Sequence, residues 1–121
     1  MSIVYQNSFL QLEVVSSEVP WFKISLGEPE NLLPQKQELL RKEILRVIDV
    51  LNQAMMEFFK PDKINIVTFG NTLPEYYWYV IARFKNDSYF PKEMWAEKQR
   101  EGEYELKDFK EFIGLVKKRL Y

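Results

Sequence analysis

The stretch that decides the fold is KINIVTFGNTLPEYYWYVIARFKNDSYFPKEMW, Lys63 to Trp95. Ile64-Asn65-Ile66-Val67-Thr68-Phe69 is rich in β-branched and aromatic residues and predicts a strand. Gly70-Asn71-Thr72-Leu73-Pro74 carries turn chemistry, Glu75 to Phe84 predicts a longer strand, and Asn86-Asp87-Ser88 marks the next loop. Side chains alternate across a strand, so Glu75, Tyr77, Tyr79 and Arg83 share one face of that longer strand.

Upstream, Phe9 to Val15 predicts a strand, Ser16-Ser17-Glu18 a turn, and Trp21 to Leu26 the antiparallel partner. Gly27 to Pro34 contains a glycine and two prolines and is a connection. From Gln35 to Lys60, Leu40, Ile44, Val47, Leu51, Met55 and Phe58 recur every three or four residues, which is the apolar stripe of a helix. Pro34 suits its first turn and Pro61 ends it. Glu105 to Leu120 predicts a second helix, with Leu106, Phe109, Phe112, Ile113 and Val116 on one side. The expected order is strand, strand, helix, strand, strand, helix. That order makes residues 1–121 a single α+β domain, an antiparallel sheet covered by a long central helix and a C-terminal helix.

A chain of 121 residues suffices for one domain with a modest core. It is 46% hydrophobic and 29% charged, values of an ordinary folded protein. A net charge of −1 gives no global pull toward nucleic acid or an anionic membrane. The chain has no cysteine and no histidine, which removes disulfides, thiolate catalysis and zinc sites of the usual kinds. The first residues, MSIVYQNSFL, show no signal-peptide pattern, and no apolar run reaches bilayer length, so a cytoplasmic setting without membrane contact is expected.

The wording of the central stretch resembles that of bacterial histidine triad proteins. The match lies at Lys63-Ile64-Asn65, Gly70-Asn71, Pro74, Ile81-Ala82-Arg83-Phe84, Asp87, Pro91 and Trp95, and upstream at Val19-Pro20-Trp21-Phe22-Lys23-Ile24. In that family the second strand of the stretch carries alternating histidines on one face, beside a nucleotide phosphate. The second histidine attacks the α-phosphorus and forms a nucleotidyl-imidazole intermediate. The resemblance places Glu75, Tyr77 and Tyr79 at the three triad positions, with no histidine among them. It implies phosphate contacts by Asn65, Asn71 and Thr72, with Arg83 a further ligand-binding candidate, a homodimer whose sheets join, a nucleoside phosphate as ligand, and no cofactor.

The replacements change the chemistry. A phenol has a reference pKa of about 10, so on the order of 0.1% is phenolate at pH 7, whereas imidazole is a neutral nucleophile there. Glu75 adds negative charge where a phosphate ligand carries its own. One reading makes Tyr77 a nucleophile activated by Arg83 or a lysine, or lets a carboxylate activate a water. The other makes Glu75 to Val80 a packed sheet segment, because Tyr and Trp favour strands. Trp21 and Trp95 are assigned to packing or to the dimer contact. No phosphate-cradling glycine loop occurs, and the serines have no histidine partner. The resemblance therefore implies a histidine-less module that binds a nucleotide, another ligand or a protein, with a nucleotide phosphoester or phosphoramide hydrolase as the alternative.

Overall fold

Leu10, Leu12, Phe22 and Ile24 are buried and alternate with more exposed neighbours, while Val80 opens a buried run that reaches Phe84. Cross-strand pairs Leu12↔Ile24 and Phe22↔Val80 bring them to one face of one sheet. The computed structural model describes residues 2–26, 33–69 and 76–121. Its elements are β1 (Ile3–Gln6), β2 (Leu10–Val14), β3 (Trp21–Leu26), α1 (Pro34–Phe58), β4 (Lys63–Phe69), β5 (Tyr76–Arg83) and α2 (Phe109–Leu120). The strands form an antiparallel sheet in the order β1-β2-β3-β5-β4.

Helix α1 buries Leu40, Ile44, Val47, Leu51 and Met55, the stripe expected from spacing. It begins at Pro34, where a missing N–H costs nothing, and no side chain caps it. Beyond its end Lys60 takes a left-handed conformation, φ 50°, just ahead of Pro61. Helix α2 packs Phe112 against Phe22, with ring centroids 5.9 Å apart, and against Phe58 at 5.4 Å. Both helices therefore join the Phe22 face of the sheet in one core. Tyr5 ties β1 to α1: its hydroxyl donates to Glu43 Oε2 at 3.1 Å and accepts from Arg46 Nη2 at 2.9 Å.

Two expectations are corrected. The sheet has an outer strand, β1, that period-two reading did not show. Its register shifts between Ile3 and Tyr5, so consecutive residues Val4 and Tyr5 are both buried and the alternation is lost. Helix α2 starts at Phe109 rather than Glu105, because Asp108 sits in the left-handed region at φ 57°. Glu105, Lys107 and Asp108 are exposed, so this turn offers little apolar surface to hold a helix against the core. The expected turn at 70–74 and most of the connection 27–34 lie outside the described residues.

Between β5 and α2 the chain has neither strand nor helix, yet it is tied down. Asp87 Oδ1 accepts from the N–H groups of Tyr89 and Phe90, at 2.9 and 2.8 Å, and Oδ2 from that of Phe84 at 3.0 Å. The Tyr104 ring stacks on Phe84 with centroids 3.7 Å apart. Burial pushes the Tyr104 hydroxyl up to about 12. Glu18 Oε2 accepts from the Ser88 hydroxyl at 3.1 Å, and the Gly102 N–H donates to that hydroxyl at 3.2 Å. A Cβ on Gly102 would lie 2.5 Å from Ser88 Oγ and 2.9 Å from the Ser88 nitrogen, so only glycine fits without displacement.

Candidate functional site

The sheet face turned away from Phe22 carries the odd-numbered residues of β3 and β5. Register places Lys23 opposite Tyr79, Ser25 opposite Tyr77, and Trp21 opposite Ile81. Tyr77 and Tyr79 are two residues apart on β5, and their rings meet with centroids 5.3 Å apart at 56°. Trp21 stands edge-on to Tyr79 at 5.2 Å and 87°. Lys23 Nζ lies 4.7 Å from the centre of the Tyr77 ring. With Trp95, which comes from the irregular segment after β5, the rings of Trp21, Tyr77 and Tyr79 line a depression of about 270 Å³. Trp95 is 50% exposed, a large apolar surface left open at a concave place.

Burial, followed by the neighbouring Tyr77, pushes the Tyr79 hydroxyl above its ordinary value. That shift disfavours a phenolate at Tyr79. Trp21 contributes a buried indole Nε1 that has no hydrogen-bond acceptor among the described residues.

At the other end of β5, Arg83 is 2% exposed and Asp87 fully buried. Arg83 Nε and Nη2 donate to the two carboxylate oxygens of Asp87 at 3.0 and 3.2 Å, a bidentate pair. Arg83 Nη1 donates to Asn65 Oδ1 at 2.9 Å. Burial alone would raise the Asp87 carboxyl, but Arg83 and the N–H groups of Phe84, Tyr89 and Phe90 outweigh it and hold the group below its ordinary value. The described hydrogen-bond partners of Arg83 are Asp87 and Asn65. Residues assigned by sequence to one polar site thus occupy two places: Tyr77 and Tyr79 in the aromatic depression, Arg83 and Asn65 in the ion-pair node. Glu75, Asn71 and Thr72 lie outside the described residues. Among the described residues no cluster of carboxylates could hold a metal ion.

No protein-family model matches the chain, and no curated protein sequence matches it significantly. Solved structures do. A histidine triad protein from Bradyrhizobium japonicum superposes with a TM-score of 0.70 at 24% identity, over 99% of this chain and 90% of that one. One from Sinorhizobium meliloti gives 0.65 at 22% identity, over 97% and 87%. A third, from Marinobacter aquaeolei, gives 0.63 at 22%, over 98% and 85%. The fold is that of histidine triad proteins. In this chain that fold is built without a single histidine, and the open face of its sheet carries aromatic rings.

Sequence reading missed Lys23 as a site residue and left Trp21 and Trp95 outside the site. Trp21 and Lys23 share the parity of the tyrosines, but that becomes visible only when the β3–β5 register is known. Trp95 reaches the depression through irregular backbone, which no periodicity announces.

Proposed function

We propose that this protein is a histidine-less relative of the histidine triad proteins that binds a ligand or a protein partner on the Tyr77–Tyr79 face and transfers no nucleotidyl group. One observation carries the reading: on a histidine triad fold, the chain has no imidazole with which to attack phosphorus, and two phenols share the strand face where the resemblance places the triad. The phenol of Tyr79 is shifted away from ionisation, and the one buried arginine of β5 is committed to Asp87. Neither arrangement supplies a group that is both nucleophilic at pH 7 and a good leaving group.

Dimerisation belongs to the same proposal. Strand β4 is an edge of the sheet, with Ile66 exposed on it, and Leu45 and Met56 are exposed on α1. An unpaired strand edge and apolar side chains are what a second copy would cover. Light scattering with gel filtration should give about twice the chain mass at micromolar concentration, and a monomer would remove this part of the proposal.

The catalytic part is tested with adenosine 5′-phosphoramidate and dinucleoside polyphosphates as substrates. Hydrolysis should not rise above background. Clear turnover that disappears in Tyr77→Phe would replace this reading with a tyrosine nucleophile. Nucleoside monophosphates should bind with dissociation constants of about 0.1 mM or weaker, roughly 5.5 kcal/mol, and Glu75→Gln should tighten them.

A further inference from the structure

The depression on the odd-numbered face has an aromatic lining and a charged neighbour, Lys23. Its four lining side chains are all aromatic, and they meet at steep angles, Trp21 at 87° to Tyr79 and Tyr77 at 56°. Walls so inclined offer a flat guest both a ring face to stack on and a ring edge to meet at right angles, the two favoured aromatic geometries. The half-exposed indole of Trp95 is the largest apolar surface available for stacking. A volume of about 270 Å³ lies just below the roughly 300–1,000 Å³ of pockets that enclose drug-sized ligands, so the guest has one or two rings.

The charge comes from Lys23. Its ammonium lies over the Tyr77 ring and has no carboxylate partner among the described residues. Glu13, its cross-strand neighbour, accepts from Gln11 and Ser25 through Oε1 instead. A cationic guest would meet this ammonium as a like charge, which argues against an aromatic cage for quaternary amines. A phosphate dianion calls for more donors than one lysine, and the nearest arginine on the strand, Arg83, is enclosed with Asp87. Lys23 beside four rings, opposed by the negative charge that the resemblance places at Glu75, matches a flat molecule with one negative charge rather than two.

We propose that this depression binds a small planar aromatic carboxylate, its ring against Trp95 and the two tyrosines and its carboxylate paired with Lys23. The inference rests on the proposed function for the location of the site and adds the class of ligand.

Calorimetric titration of the full chain tests it, with 2-naphthoate as the probe. Comparison ligands are cyclohexanecarboxylate, benzyltrimethylammonium and adenosine 5′-monophosphate. The expected result is saturable 2-naphthoate binding, with neither cyclohexanecarboxylate nor benzyltrimethylammonium binding up to about 5 mM. Trp95→Ala should weaken 2-naphthoate at least about tenfold and Lys23→Gln about three- to tenfold, while Lys23→Arg should retain it. Trp95 is half exposed, so its variant should keep the wild-type melting temperature, and the Lys23 pair decides the matter if it does not. Benzyltrimethylammonium binding as tightly as 2-naphthoate would overturn the charge argument. Naphthoate affinity unmoved by Trp95→Ala would overturn the site, as would adenosine monophosphate binding while naphthoate does not. None of these outcomes depends on hydrolysis, so the non-catalytic reading stands or falls separately.

Discussion

The two ends of β5 solve different problems with the same strand. At Arg83 the strand buries a charge and surrounds it with partners: a bidentate carboxylate, an asparagine oxygen, and a carboxylate that also holds three backbone N–H groups. At Tyr77 and Tyr79, four to six residues earlier, the strand presents half-buried rings around an open depression. A satisfied, enclosed polar node holds an irregular segment in one arrangement, whereas a concave aromatic surface open to solvent suits a ligand. The contrast sorts the residues around β5 by what each one touches. We assign Asn65, Arg83, Phe84 and Asp87 to holding the architecture, and Trp21, Lys23, Tyr77, Tyr79 and Trp95 to the site.

Breaking the node should have the largest effect. Asp87→Ala leaves the buried guanidinium uncompensated and frees three N–H groups, and it should cost about 3–5 kcal/mol in urea unfolding, a large share of a small domain's stability. Tyr77→Phe and Tyr79→Phe should each cost less than about 1 kcal/mol, because the half-buried rings keep their ring contacts and lose only a hydroxyl. If the two ends respond alike, the distinction between them fails.

Acid sharpens the same contrast. The folded Asp87 carboxyl lies below its unfolded value of about 3.9. Its contribution is therefore present in full well above that value and is lost as the pH falls through the lower folded value. Wild-type stability should decline below about pH 4, and Asp87→Asn should flatten that part of the profile. An unchanged profile in the variant would mean that other carboxylates govern acid unfolding.

The fold was legible where periodicity was regular. The β3, α1, β4 and β5 boundaries lie within one or two residues of those expected from alternation, the Leu40–Met55 stripe and the flanking prolines. It was illegible where local geometry broke the period, at the bulge in β1 and at the left-handed Asp108. The site was half legible. Parity put Tyr77 and Tyr79 together, but it also suggested that Arg83 lay in reach of them. Arg83 instead turns to Asp87, a loop residue that reads in sequence only as turn chemistry. Trp21, Lys23 and Trp95 enter the site through register and tertiary packing, which one sequence does not display.

Smaller effects test the supports of each end. Gly102→Ala should cost about 1–3 kcal/mol, because a methyl group there meets Ser88 Oγ and backbone at under 3 Å. Trp21→Phe should stay within about 1 kcal/mol of wild type, since lost ring contact is offset by removing a buried N–H without an acceptor. Chemical denaturation reads both, and a large loss from Trp21→Phe would show that the indole N–H is satisfied after all.

The most direct measurement is turnover of adenosine 5′-phosphoramidate by wild type beside the triple variant Glu75→Gln, Tyr77→His, Tyr79→His. If the architecture held by Arg83 and Asp87 is intact and only the reactive groups were exchanged, wild type stays at background. The triple variant should gain detectable turnover, because imidazoles acting as a unit regain activity together. Wild-type turnover equal to or above that of the triple variant would contradict the account.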